Sequence, residues 1–295
     1  MELHGFLAAE RERIDSTLDR LLPAADAWPR RLHEAMRYAV FGGGKRVRPV
    51  LVRAACRAAG DDPELVLEAA CAIELVHTYS LIHDDLPALD DDTLRRGRAT
   101  VHVAYDEALA ILAGDALLTE AFAVLGAFPV GDEYSARRAD ACRMVAEAIG
   151  SRGMVGGQVE DLEATGEPPD AGRLDRIHRA KTGALIGAAV ELGVLLAGAD
   201  GSRRQAFAAF GQRLGLLFQI ADDILDVTGS AASLGKSPGK DATAGKLTYP
   251  AVFGLDAANR ELEALAEALT REAEGIEGRG GTLGAMVNYV ARRNR

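Results

Sequence analysis

Cysteine is nearly absent from this chain. Its 295 residues include three, Cys56, Cys71 and Cys142, an odd number with no CxxC spacing. That excludes a disulfide framework and a clustered zinc site, and it points to a reducing, cytoplasmic compartment. A long apolar run is also missing. The longest, Ala184 to Ala199, is interrupted by Glu191 and falls short of the ~20 residues a span needs, so a buried helix and no membrane insertion are expected. Met1 to Leu18 mixes Glu, Arg and Asp with apolar residues and has no signal-peptide core. Positive charge is not in excess: a formal net charge of -10 leaves no basic face for general nucleic-acid binding. Period-two alternation, the mark of half-buried strands, is not sustained anywhere. No internal repeat and no domain linker interrupt the chain.

What is present is alanine, leucine and a three- and four-residue apolar rhythm, in a chain that is 48% hydrophobic. The rhythm predicts a single all-α domain over 1–295 with roughly ten helices, at about 2–22, 29–39, 46–59, 63–85, 104–126, 133–157, 172–198, 202–227, 248–274 and 281–293. Gly42-Gly43-Gly44 and Gly166-Glu167-Pro168-Pro169 mark breaks. Gly229 to Lys246 lacks apolar periodicity and reads as a long loop carrying Lys236, Lys240 and Lys246, the kind of loop that serves as a lid.

Two aspartate clusters stand out: Asp84-Asp85-Leu-Pro-Ala-Leu-Asp90-Asp91-Asp92 and Asp222-Asp223-Ile-Leu-Asp226. Carboxylates crowded at the end of an apolar stretch repel one another, and a divalent cation with a taste for oxygen, magnesium above all, relieves the repulsion while binding phosphates. Asp222 and Asp226 fall on one helix face, about 40° apart, with Gln219 on the same face. Asp84 and Asp90 would lie about 120° apart on a continuous helix, so a bend at Leu86-Pro87 is needed to bring them together. Ser80 and His77 lie one and two turns before Asp84.

Basic groups occur where an anion needs them. Lys45 and Arg48 open a helix after a glycine turn. This is no Walker loop, because Arg46 follows Lys45 and no strand precedes it. Arg95 and Arg96 follow the first cluster, where a salt bridge to Asp90–Asp92 is the plainest role for them. Lys181-Thr182 opens the apolar helix. Together these groups suit a substrate with a phosphate head and a greasy tail lying between helices.

The segments His77–Gly97, Phe218–Asp226, Gly43–Pro49, Gly156-Gly157-Gln158, Lys181-Thr182 and Gly245–Pro250, together with the basic end Arg292-Arg293-Asn294-Arg295, resemble the motifs of trans-prenyl diphosphate synthases, bacterial farnesyl diphosphate synthases especially, and stand in that family's order. The resemblance implies an all-α isoprenoid synthase fold around a central cavity, usually homodimeric, and head-to-tail condensation of isopentenyl diphosphate with dimethylallyl or geranyl diphosphate. It further implies Asp84, Asp90 and Asp222 as the main ligands of three magnesium ions, with Asp85 and Asp226 in support. Lys45, Arg48, His77 and Arg96 become the isopentenyl diphosphate site, and Arg95, Lys181 and Lys236 the grip on the allylic diphosphate. Thr182 and Gln219 become stabilisers of the allylic cation. Tyr79, five residues before the first Asp, with Ser80 beside it and the Leu-Pro insertion after it, resembles the floor that limits the tail to fifteen carbons, although Tyr79 is offset by about 140° from Asp84. Geranyl or geranylgeranyl diphosphate synthases and class I terpene cyclases share much of this pattern, but a cyclase needs only one diphosphate site. Ala221, where relatives often carry Gln, and Thr93, where close relatives carry a fourth Asp, depart from it.

Overall fold

A computed structural model describes residues 3–228 and 245–292. The elements are almost all helical: α1 (Leu3–Leu21), α2 (Arg30–Val40), α3 (Val47–Ala59), α4 (Leu67–Asp84), a hairpin of β1 (Leu94–Arg95) and β2 (Arg98–Ala99), α5 (Val101–Ala104), α6 (Glu107–Ala127), α7 (Ser135–Ile149), α8 (Met154–Ala164), α9 (Ala171–Ile177), a π-helical turn (His178–Gly183), α10 (Ala184–Leu196), α11 (Gly201–Thr228), α12 (Tyr249–Phe253), α13 (Leu255–Glu277) and α14 (Thr282–Arg292). The all-α expectation holds.

Helices α4 and α10 are central. Neither carries a one-sided apolar stripe; both are buried around most of their circumference, as a core helix must be when it is apolar all round. Helix α4 packs along α6, and α10 is held between α3 and α11. One continuous apolar cluster runs through these helices, with a small satellite of Ala164, Leu174, Ile177 and Leu247 beneath the segment that follows residue 244.

Three predicted helices are corrected. The stretch 133–157 is two helices, α7 and α8. Gly150 is extended, and a Cβ on Gly153 would lie 2.0 Å from the Ala148 carbonyl oxygen, so the chain turns where only glycine fits. The stretch 172–198 keeps its axis but widens into the π-turn at residues 178–183. Gly254, at a positive φ of 82°, divides 248–274 into α12 and α13. The hairpin escaped the periodicity because each strand is two residues long. Arg96 and Gly97 turn it with positive φ angles, as tight hairpins require, and Arg95 and Arg96 are thereby aimed at different partners.

Candidate active site

The first acidic cluster sits where α4 stops. Pro87 cannot continue the helix, and the chain folds back so that the Asp90 amide donates to the Asp84 carbonyl at 2.9 Å and Asp92 to Asp85 at 3.1 Å. The bend predicted from Pro87 thus returns Asp90 to Asp84. Burial pushes the Asp84 carboxyl up to about 6, with Lys181 opposing and Asp90 adding to the rise. Burial also works against the charge of Asp90, but the Lys246 and Lys181 amines outweigh it and hold its pKa below the ordinary carboxylate value. Lys246 Nζ donates to Asp90 Oδ1 at 3.0 Å.

Asp85 does not share that face. It is buried and both oxygens accept from Arg95 Nε at 2.8 Å, with Arg95 Nη2 2.6 Å from Oδ1. The guanidinium also lies 3.7 Å from Asp92. The salt-bridge reading of Arg95 is therefore realised with Asp85 as principal partner. This is a clamp that ties the hairpin to the end of α4.

The second cluster lies on α11, with Asp222 half-buried and Asp226 buried. Beside it runs the π-turn. Thr182 Oγ1 donates to Gln219 Oε1 at 2.8 Å, and Gln219 Nε2 donates to Asp223 Oδ1 at 2.8 Å. Lys181 Nζ donates to Asp161 Oδ2 on α8 at 2.7 Å. The turn fits because its neighbours lack side chains at the crossings. A Cβ on Gly157 of α8 would be 2.3 Å from Lys181 N, and one on Gly215 of α11 would be 2.5 Å from Gly183 Cα.

The groups expected at an isopentenyl diphosphate site converge elsewhere, between α3, α4 and the hairpin. Desolvation, then the nearby Arg48 and Arg96, hold His77 well below its usual pKa, so its ring is neutral. Arg48 is depressed to about 10 by burial, Glu74 opposing and Arg96 assisting. Its guanidinium stacks 5.7 Å from the Phe218 ring, and its Nε is buried with no hydrogen-bond partner among the described residues. Arg96 Nη1 donates to the Gly43 carbonyl. Like charges crowded with little counter-charge are stabilised by an anion. Lys45 stands further out, 5.8 Å from the Tyr289 ring of α14. Arg46 between them is structural: it is buried and paired with Glu74 and Asp15 at 2.8 and 2.7 Å.

Tyr79 is buried and packs edge-on against His83, ring centroids 5.7 Å apart. Ser80 Oγ donates to the His77 carbonyl. Ala221 is fully buried and Thr93 exposed. Lys236 lies outside the described residues. Sequence reasoning assigned no role to Asp161, His178 or Asp223, and placed Lys246 only in the expected lid loop, of which residues 229–244 lie outside the described residues. The Gly-Lys-Leu-Thr-Tyr-Pro motif signalled Lys246 and the adjacency of Asp222 signalled Asp223, but the pairings themselves require the fold.

Half-buried Asp84 and Asp90, which feel the Lys181 and Lys246 amines, a second acidic cluster on α11 and a further basic group set apart suit an enzyme for anionic, phosphate-bearing substrates. The comparisons agree. The polyprenyl synthetase family profile matches residues 29–278, and the chain belongs to that family, the trans-prenyl diphosphate synthases. It is 40% identical over 296 residues to the farnesyl diphosphate synthase of Geobacillus stearothermophilus, covering 100% of this chain and 99% of that protein. It is 41% identical over 293 residues to geranylgeranyl pyrophosphate synthase 4 of Arabidopsis thaliana, covering 98% and 77%. A crystal structure of a Helicobacter pylori geranyltransferase, complexed with magnesium and isoprenyl diphosphate, matches with a TM-score of 0.85 and 30% identity, covering 99% of this chain and 97% of that one. The chain is thus a prenyltransferase, and its relatives divide over product length.

Proposed function

We propose that this chain joins isopentenyl diphosphate head-to-tail to dimethylallyl and then geranyl diphosphate, giving farnesyl diphosphate. The observation that carries this is the pair of separate basic sets: Arg48 and Arg96 with neutral His77, and Lys181 with Lys246 beside Asp84 and Asp90. One set per diphosphate suits a two-substrate transferase. The allylic C–O bond breaks, the diphosphate leaves with the electron pair, and the isopentenyl double bond, held by the other set, attacks the cation. A proton lost from the adjacent carbon goes to the departing diphosphate, so no side-chain base is required.

The donor set fits magnesium. It is all oxygen, and the raised pKa of half-buried Asp84 marks a site short of positive charge. No group of three or more acidic, His or Cys side chains among the described residues is placed to hold an ion by itself, so waters and phosphate oxygens would have to complete the shell of a bound magnesium. Asp84, Asp90 and Asp222 would hold it, three ions in all with the diphosphate, and the metal would supply neutralisation of the leaving group. Asp226 and Asp85 stand in support, Asp85 while paired with Arg95.

The fifteen-carbon product rests on buried Tyr79 and on the end-to-end likeness to the Geobacillus enzyme. A homodimer is also proposed. Helix α6 is apolar enough to cross a membrane, yet only 39% of its most apolar window is buried. Ile111 and Leu112 on α6 and Val155, Val159 and Leu162 on α8 are exposed, a surface a second copy would cover. Free Cys56, Cys71 and Cys142 support a cytoplasmic setting.

The test is elongation of dimethylallyl diphosphate by labelled isopentenyl diphosphate with magnesium, followed by chromatography of the hydrolysed alcohols. A fifteen-carbon alcohol is expected. No elongation refutes the transferase reading, and a ten- or twenty-carbon alcohol moves the product assignment.

A further inference from the structure

Asp223 is the one carboxylate of the Asp222-Asp223-Ile-Leu-Asp226 cluster without a part in the reaction above. It is 3% exposed and turned about 100° from Asp222 around α11. Both its oxygens are engaged. Gln219 Nε2 donates to Oδ1 at 2.8 Å, the Tyr249 backbone N–H donates to Oδ2 at 2.8 Å, and His178 Nε2 lies 3.3 Å from Oδ2.

An ionised carboxylate can only accept hydrogen bonds. Gln219 must therefore turn its NH2 group toward Asp223, which leaves Oε1 on the other side, where Thr182 donates to it at 2.8 Å. Thr182 spends its only proton in that bond, so its oxygen presents lone pairs to whatever else it meets. Gln219 lies one turn before Asp222 on the same face of α11, and Thr182 adjoins Lys181, whose charge is felt at both Asp84 and Asp90. We infer that Asp223 is a positioning residue: it fixes the hydrogen-bond direction of the chain Asp223–Gln219–Thr182 so that two oxygen dipoles, and no N–H or O–H, meet the allylic carbons while they carry positive charge. Dipoles oriented in advance cost no reorganisation at the moment of ionisation, and hydrogen bonds in series polarise one another. The inference rests on the cationic reaction proposed above.

The direction of the chain can be reversed without removing it. In Asp223→Asn the amide oxygen keeps the Tyr249 and His178 contacts, but the NH2 meets the Gln219 NH2. Gln219 must flip and present its own NH2 to Thr182. In the double variant Asp223→Asn/Gln219→Glu, the introduced amide donates to the introduced carboxylate, which again accepts from Thr182; net charge equals that of the wild type and every donor has a partner. For Asp223→Asn we expect a loss of about 100-fold in kcat, the scale of one misdirected dipole at a reacting centre. Both KM values and the half-saturating magnesium concentration should stay within about threefold of wild type, because ground-state binding is untouched. The double variant should recover at least about tenfold of that loss.

Wild-type kcat in Asp223→Asn overturns the inference. So does a folded double variant, judged by a wild-type melting curve, that recovers nothing, since an anchor for Tyr249 alone would treat both variants alike. A magnesium requirement raised in Asp223→Asn also overturns it, by making Asp223 a ligand. Should Asp223→Asn fail to fold, Thr182→Val leaves every Asp223 contact in place and should still cut kcat about tenfold at constant KM; an unchanged kcat there sinks the relay. A wild-type protein that shows no condensation at all refutes the transferase reading first and separately.

Discussion

Gly157→Ala is the smallest change that tests how the site is held. An ordinary Cβ contact is 3.4–4 Å, and the new Cβ would stand 2.3 Å from the Lys181 nitrogen and 2.7 Å from its Cα. The π-turn would have to retreat by about 1.1 Å, the difference between 3.4 and 2.3 Å. Its room is limited: at Gly183 the turn already lies so near Gly215 of α11 that a Cβ there would be 2.5 Å from Gly183 Cα. An overpacked site that cannot relax costs about 3 kcal/mol, or a fall in Tm of roughly 6–12 °C for a chain of this size. The catalytic effect is larger. A displacement of about 1 Å carries the 2.7 Å bond from Lys181 to Asp161 beyond hydrogen-bonding range, and misplacement of that size costs about 100-fold in rate. Steady-state kinetics in both substrates should show reduced kcat and a raised KM for the allylic diphosphate. The isopentenyl diphosphate KM should hold, since Arg48, His77 and Arg96 belong to α3, α4 and the hairpin. Gly126→Ala on α6, where a Cβ meets nothing within 4 Å, is the control and should leave stability unchanged or raise it by about 0.5 kcal/mol. A Gly157→Ala enzyme with wild-type kcat and Tm would refute the idea that α8 and α11 grip the turn.

Other outcomes follow from single groups. Because Asp84 titrates near 6, above the ordinary carboxylate value, its charge is lost as pH falls through 6; half-saturating magnesium should then rise by about tenfold per pH unit and stay flat above pH 7, and Asp84→Ala should lose orders of magnitude in kcat with an unchanged circular dichroism spectrum. Lys246→Gln removes the amine from Asp90, so less magnesium should be needed while the allylic diphosphate KM rises about tenfold or more, the worth of a charged hydrogen bond; changes of one sign in both would sink the assignment. Tyr79→Ala should lengthen the product, and an unchanged fifteen-carbon alcohol removes Tyr79 as the floor. Leu112→Glu, on the exposed face of α6, should halve the mass seen by light scattering; a wild-type mass places the dimer contact elsewhere.

Much of this was legible because its causes are local. Pro87 has no amide proton to continue α4, so a turn near Asp84 followed from the sequence, and Asp90 came back with it. The helical rhythm located α4 and α10 because their burial is written in composition. What escaped depends on partners. A glycine inside a helical pattern costs only about 1 kcal/mol, so Gly150 and Gly153 gave no warning of the break between α7 and α8. The π-turn takes in one extra residue, so burial steps from His178 to Gly183, and only the close approach of Gly157 and Gly215 shows why that residue is accommodated there. Lys246 reaches Asp90 across 156 positions, a pairing no local pattern encodes.

Each acidic cluster opens with two adjacent aspartates, and on a helix adjacent residues point about 100° apart. Only one of each pair can face a shared ligand, and the structure shows what the other does. Asp85 is buried against the Arg95 guanidinium and fastens the hairpin to α4. Asp223 is buried against Gln219 and the Tyr249 amide and fastens α11 to the segment that brings Lys246 to Asp90. Buried polar groups need partners, and both of these carboxylates have theirs within the scaffold. Burial raises the pKa of Asp85 as it does that of Asp84, but at Asp85 the Arg95 guanidinium opposes the rise. Doubling the aspartate thus separates two tasks that one side chain cannot perform together. The outward member stays open to a cation, and the inward member ties neighbouring elements together. Substitution of the outward members should therefore be felt in kcat and in the metal requirement together, and substitution of the inward members in kcat and stability at an unchanged metal requirement.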